Sequence, residues 1–65
     1  MSKLKLLRIE AGLSQIELSL ATGVPRYVIQ LAEAGLRLPS NEHQQLLCSC
    51  LGASLAILFS DGGSK

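Results

Sequence analysis

Few side chains in this 65-residue sequence are equipped for bond-making chemistry. His43 is the only histidine, and Glu42, Gln44 and Gln45 surround it on a segment with helical patterning. A lone imidazole in such company is expected to be a solvated helix residue rather than a general base or metal ligand. Cys48 and Cys50 stand two residues apart, which on one helix is about 200° around the axis. They can neither share a metal nor close a disulfide easily. No Ser/His/Asp set, no carboxylate pair for acid–base work and no phosphate-cradling Gly-rich loop occurs. Gly62 and Gly63 belong to a terminal stretch, residues 61–65, with turn and linker chemistry, expected to be a loose tail. The sequence therefore offers no catalytic residue, no metal site, no cofactor and no small-molecule substrate. An enzyme is the reading it supports least.

The elements that must position the remaining polar residues are helices. Leu4, Leu7 and Ala11 recur at three- and four-residue spacing, one stripe of an amphipathic helix that ends at Gly12. Ser14 precedes Gln15-Ile16-Glu17-Leu18, with Glu17 three residues on, which is a capping box. That second helix is expected to run to about Thr22 and stop at Gly23. Pro25, with its fixed φ, suits the first turn of a third helix carrying Arg26 to Ala34, closed by Gly35. After the connector Leu36-Arg37-Leu38, Pro39-Ser40 starts a fourth helix from about Asn41 to Leu51. Gly52 ends it, and Ser54 caps a last short turn, Leu55 to Phe59. No alternating stretch exceeds four residues and β-branched and aromatic residues are scarce, so the fold class is an all-α bundle of five helices.

Composition narrows the class. The chain is 48% hydrophobic and 17% charged, too apolar for disorder and short enough for one small domain of marginal stability. One core and few loops leave little room for a catalytic cleft. No apolar run approaches the roughly 20 residues that span a bilayer. Met1-Ser2-Lys3-Leu4-Lys5 meets charge too early for a signal peptide. With no disulfide framework of the secreted kind, the expected compartment is the reducing cytoplasm. The formal net charge is +1. Residues 1–40 carry five Lys/Arg against three Glu, and residues 41–65 carry Lys65 against Glu42 and Asp61, so the cationic excess is small but lies with the first three helices.

Helices two and three carry the informative pattern. Their connection, Gly23-Val24-Pro25, is of a length that sets two helices at a steep angle. With Gln15 as the first position, Ser19 falls fifth, Gly23 ninth, Val24 tenth and Ile29 fifteenth. A small residue allows close approach, a glycine makes the turn, and two apolar residues lock it to the core: this is a helix-turn-helix. The sequence from Leu4 to Phe59 resembles the Xre/Cro/CI family of helix-turn-helix DNA-binding proteins. The landmarks are Leu7-Arg8, Gly12-Leu13-Ser14-Gln15, Leu18, Gly23-Val24, Ile29, Glu33, Gly35, Pro39-Ser40, Leu51-Gly52, Ser54-Leu55 and Leu58-Phe59. Singly each is weak; the ordered, ungapped set is specific.

The resemblance implies a lambda-repressor-like bundle, residues 1–60, whose third helix lies in the major groove of double-stranded DNA. By position, Arg26, Tyr27 and Gln30 would face the bases, with Pro25 and Leu31 beside them. Arg26 can donate two hydrogen bonds to a guanine edge, Gln30 can pair with adenine, and Leu31 can only touch a thymine methyl. Gln15 would grip a phosphate at the start of helix two, and Arg37 would add a backbone contact. Arg8 on helix one would pair with Glu33 and so orient the recognition helix. The bland alternative is two ordinary surface charges.

Several positions that are usually polar in the family are apolar here: Ile16, Leu20, Leu31, Leu46, Ala56 and Ile57. Ala32 and Thr22 stand where bulkier apolar residues are usual, and the cysteines stand where alanine is, which suits a small core filler. A surplus of exposed apolar groups marks a partner surface. The expected homodimer face combines Leu46, Cys50, Ile57 and Leu58, with Ile16 and Leu20 as a second pair. Two readings follow: a dimeric, sequence-specific transcriptional regulator of bacterial or phage type, or a helix-turn-helix-fold module (antitoxin-like or anti-activator) that binds a protein partner.

Overall fold

A computed structural model describes residues 2–59, and the tail expected at residues 61–65 lies outside them. Among the described residues there are five helices and no strand: α1 (Lys3–Glu10), α2 (Gln15–Thr22), α3 (Arg26–Glu33), α4 (Asn41–Leu51) and α5 (Leu55–Phe59). The helix starts obey local chemistry. The hydroxyls of Ser2, Ser14 and Ser40 accept from Lys5, Glu17 and His43 backbone N–H groups, each satisfying one orphan donor of a first turn. At α2 the capping box is complete, because Glu17 Oε1 also accepts from the Ser14 N–H at 2.8 Å. Pro25 differs from expectation. It stands at the N-cap of α3 in extended conformation (φ −57°, ψ 143°) rather than in the first turn, and the helix begins at Arg26.

No helix here is long enough to be stable alone in water, so packing must hold them. Leu4, Leu18, Val24, Ile29, Leu47, Cys48 and Leu58 form the core, drawing on every helix and on the α2–α3 turn. α3 lies against α1 and α2, while α4 lies against α2 and α5, and α5 closes on α1. The result is a scaffold that leaves one side of α3 uncovered. Leu58 corrects the expectation that it would lie on a dimer face. It is 4% exposed, because the short α5 turns this side chain into the core of its own chain.

Candidate nucleic-acid interface

The turn between α2 and α3 is built from hydroxyls. Gly23 caps α2 with φ +81°, a left-handed conformation that costs a residue with a Cβ about 1–2 kcal/mol. Val24, next along, is fully buried, so both of its backbone polar groups need partners inside the protein. Ser19 Oγ donates to the Val24 carbonyl at 2.6 Å, and Thr22 Oγ1 accepts from the Val24 N–H at 3.1 Å. Thr22 Oγ1 also donates to the Leu18 carbonyl at 2.8 Å. The small residue at the fifth position is thus a hydrogen-bonding latch as well as a space-saver. The hydroxyl of Thr22 explains why an aliphatic residue is absent there.

A buried polar cluster fixes the far end of α3. Arg8 Nε donates to Glu33 Oε2 at 2.6 Å, and Arg8 Nη2 donates to Glu33 Oε1 at 3.1 Å, a bidentate pair with side chains 10% and 4% exposed. The third guanidinium nitrogen, Nη1, donates to the Leu13 carbonyl at 2.7 Å. Gln15 Nε2 completes the cluster by donating to Glu33 Oε1 at 3.0 Å. The carboxylate therefore receives three donors from α1 and α2, and among the described residues no buried side-chain nitrogen or oxygen lacks a partner. The resemblance assigns Gln15 to a phosphate. Its amide nitrogen is oriented by Glu33, and the second N–H of the same nitrogen is left for such an acceptor.

Outside the stripe of Val28, Ile29 and Ala32 that packs on the core, the chain exposes Pro25, Arg26, Tyr27 and Gln30, with Tyr27 64% exposed. Arg26 and Gln30 are one helical turn apart and form one strip; Tyr27 and Leu31 form the strip beside it. Leu31 is half-buried, at the edge of the exposed face rather than on it. Arg37 is exposed on the connector that follows. Donors suited to base edges and phosphates thus share one surface, carried by a helix fixed at both ends.

A helix-turn-helix family model matches residues 4–58, most of the chain. The chain belongs to the Xre/Cro/CI-type helix-turn-helix family. No curated protein and no solved structure gives a match. This family is DNA-binding and typically non-enzymatic, and the protein is a DNA-binding helix-turn-helix regulator with the lambda-repressor-like fold.

The other residues of this helix-turn-helix protein divide by exposure. Cys48 is buried, and that burial pushes its thiol pKa up, while Cys50 is exposed. Leu46 and Ile57 are exposed on α4 and α5, and Ile16 and Leu20 on α2. His43 is half-buried in the wall of an open cavity beside α3, rather than fully solvated. Among the described residues, no group of three or more His, Cys, Asp or Glu could hold a metal ion. No helix there is long and apolar enough to cross a membrane. Sequence reasoning did not find the Thr22 hydroxyl, although a threonine one residue before a helix-ending glycine is a signal for it. It also missed Gln44, which is buried and donates to the Pro39 carbonyl at 2.7 Å. Nothing local distinguishes this glutamine from Gln45.

Proposed function

We propose that this protein is a sequence-specific regulator that binds double-stranded operator DNA as a homodimer, with residues 1–60 as the DNA-binding domain. Arg26 and Gln30 read base edges, Tyr27 and Pro25 pack alongside them, and Arg37 meets the phosphate backbone. The observation that carries this reading is the exposed row of Pro25, Arg26, Tyr27 and Gln30 on a helix whose ends are tied to α1 and α2 through Glu33, Ser19 and Thr22. Arg8 and Gln15 act as positioning residues through Glu33. Two copies present two recognition helices to half-sites roughly 34 Å apart. The exposed Leu46, Cys50 and Ile57 supply the contact between copies.

A gel shift at low salt with the promoter of the protein's own gene tests the reading. Arg26→Ala is expected to abolish or strongly weaken the shifted band while the helical circular dichroism is unchanged. A second reading rests on Leu20, which is 80% exposed with Ile16 one turn away on α2. In it, the fold serves as a protein-interaction module. Absence of a shift at any salt favours that module.

A further inference from the structure

Beside the reading face lies an open cavity of about 280 Å³ whose apolar wall includes Tyr27, Leu31, Leu38 and Pro39. Arg37 and His43 also line it. A group that pairs an apolar surface with a negative charge in one small unit complements this lining. The cavity is continuous with the surface already assigned to DNA, because Tyr27 and Leu31 form the strip of α3 adjoining Arg26 and Gln30. In the major groove of DNA the apolar group on a base edge is the 5-methyl of thymine, and the neighbouring charge is phosphate. We infer that this notch seats a 5-methylpyrimidine nucleotide of the operator. The methyl lies against Leu31 and Leu38, the tyrosine ring flanks it, and Arg37 meets the adjoining phosphate. Leu38 is then a specificity-determining residue outside the recognition helix. It is 64% exposed, an exposure that nothing in the core accounts for.

The inference rests on the DNA-binding reading, and the test separates the two. Duplexes are first selected from a randomised library with the full chain, and each thymine of a selected site is then replaced singly by deoxyuridine, which removes only the methyl. At one position per half-site the exchange is expected to weaken binding by roughly three- to fivefold, the value of one buried methyl. Leu38→Ala is expected to bind the uridine duplex as the parent does while losing its preference for thymine. Arg37→Ala should weaken both duplexes alike, keep the thymine preference and flatten the salt dependence by about one phosphate. Circular dichroism of both variants controls for folding, which their exposed positions protect. Failure to select any duplex overturns the DNA-binding reading and this inference with it. Selected sites indifferent to every thymine exchange, or a Leu38→Ala protein that keeps the full preference, overturn the notch alone.

Discussion

At the residue scale, Glu33 ties the end of α3 to both α1 and α2. Its carboxylate, 4% exposed, depends on Arg8 and Gln15 for every hydrogen bond it receives. Removing Arg8 leaves a buried charge with one neutral partner, and breaking a buried pair from one side typically costs about 3–5 kcal/mol. Lys5, exposed on the same helix, lacks such a role, and its loss is expected to cost under about 0.5 kcal/mol. Arg8→Ala should therefore melt more than about 10 °C below Lys5→Ala in thermal circular dichroism, given the small size of the domain. Equal melting temperatures would show that the pair contributes nothing. The cysteines differ in a comparable way. Cys48 is buried with its thiol pKa raised by burial, so it resists alkylation in the folded state, whereas Cys50 faces solvent. At concentrations low enough to keep the chain monomeric, one thiol per chain should react with a thiol reagent under native conditions, and two in denaturant. Mass mapping to Cys48 rather than Cys50 in the native reaction would contradict the packing.

At the scale of elements, the turn is the part that local chemistry writes most fully. Ser19→Ala leaves the Val24 carbonyl buried without its donor, a loss of about 1–3 kcal/mol. Gly23→Ala introduces a Cβ that meets nothing within 4 Å, so its cost is backbone strain alone, about 1–2 kcal/mol. Urea unfolding of the two variants should give losses in these ranges. A neutral Gly23→Ala would mean that the left-handed cap relaxes freely. The same contrast explains what the sequence revealed. Helix limits were legible because Ser14, Glu17, Gly23, Ser40 and Gly52 act on residues within one turn of themselves. The exposed Arg26 and Gln30 were legible because, one turn apart, they fall outside the apolar stripe of Val28, Ile29 and Ala32 that packs on the core. Gln15 was not, since its partner is 18 residues away and only the folded angle between α2 and α3 brings the two together. Leu58 was not, because a five-residue helix has too few turns to show which side faces inward. Leu38, in an irregular connector, has no period to read.

At the scale of the whole molecule, seven apolar side chains among the described residues are buried in the core, while ten large ones remain exposed. So small a core rarely supplies more than about 3–5 kcal/mol, which makes association a direct route to stability. Any copy that binds only the folded chain raises the melting temperature as concentration rises. The melting point is therefore expected to climb between micromolar and hundred-micromolar protein, and sedimentation should show a dimer in that range. Ile57→Asp places a charge at a half-exposed site on α5 and is expected to shift sedimentation to the monomer and remove the concentration dependence. Leu20→Asp, on α2, should change neither. DNA binding provides an independent reading of the same event. A dimer engages twice the phosphates of one chain, and the slope of log affinity against log salt follows their number. The Ile57→Asp protein should thus bind a single half-site with about half the parental salt slope. If Leu20→Asp dissociates the dimer and Ile57→Asp does not, the contact between copies lies on α2, and the α4–α5 surface is free for a different partner.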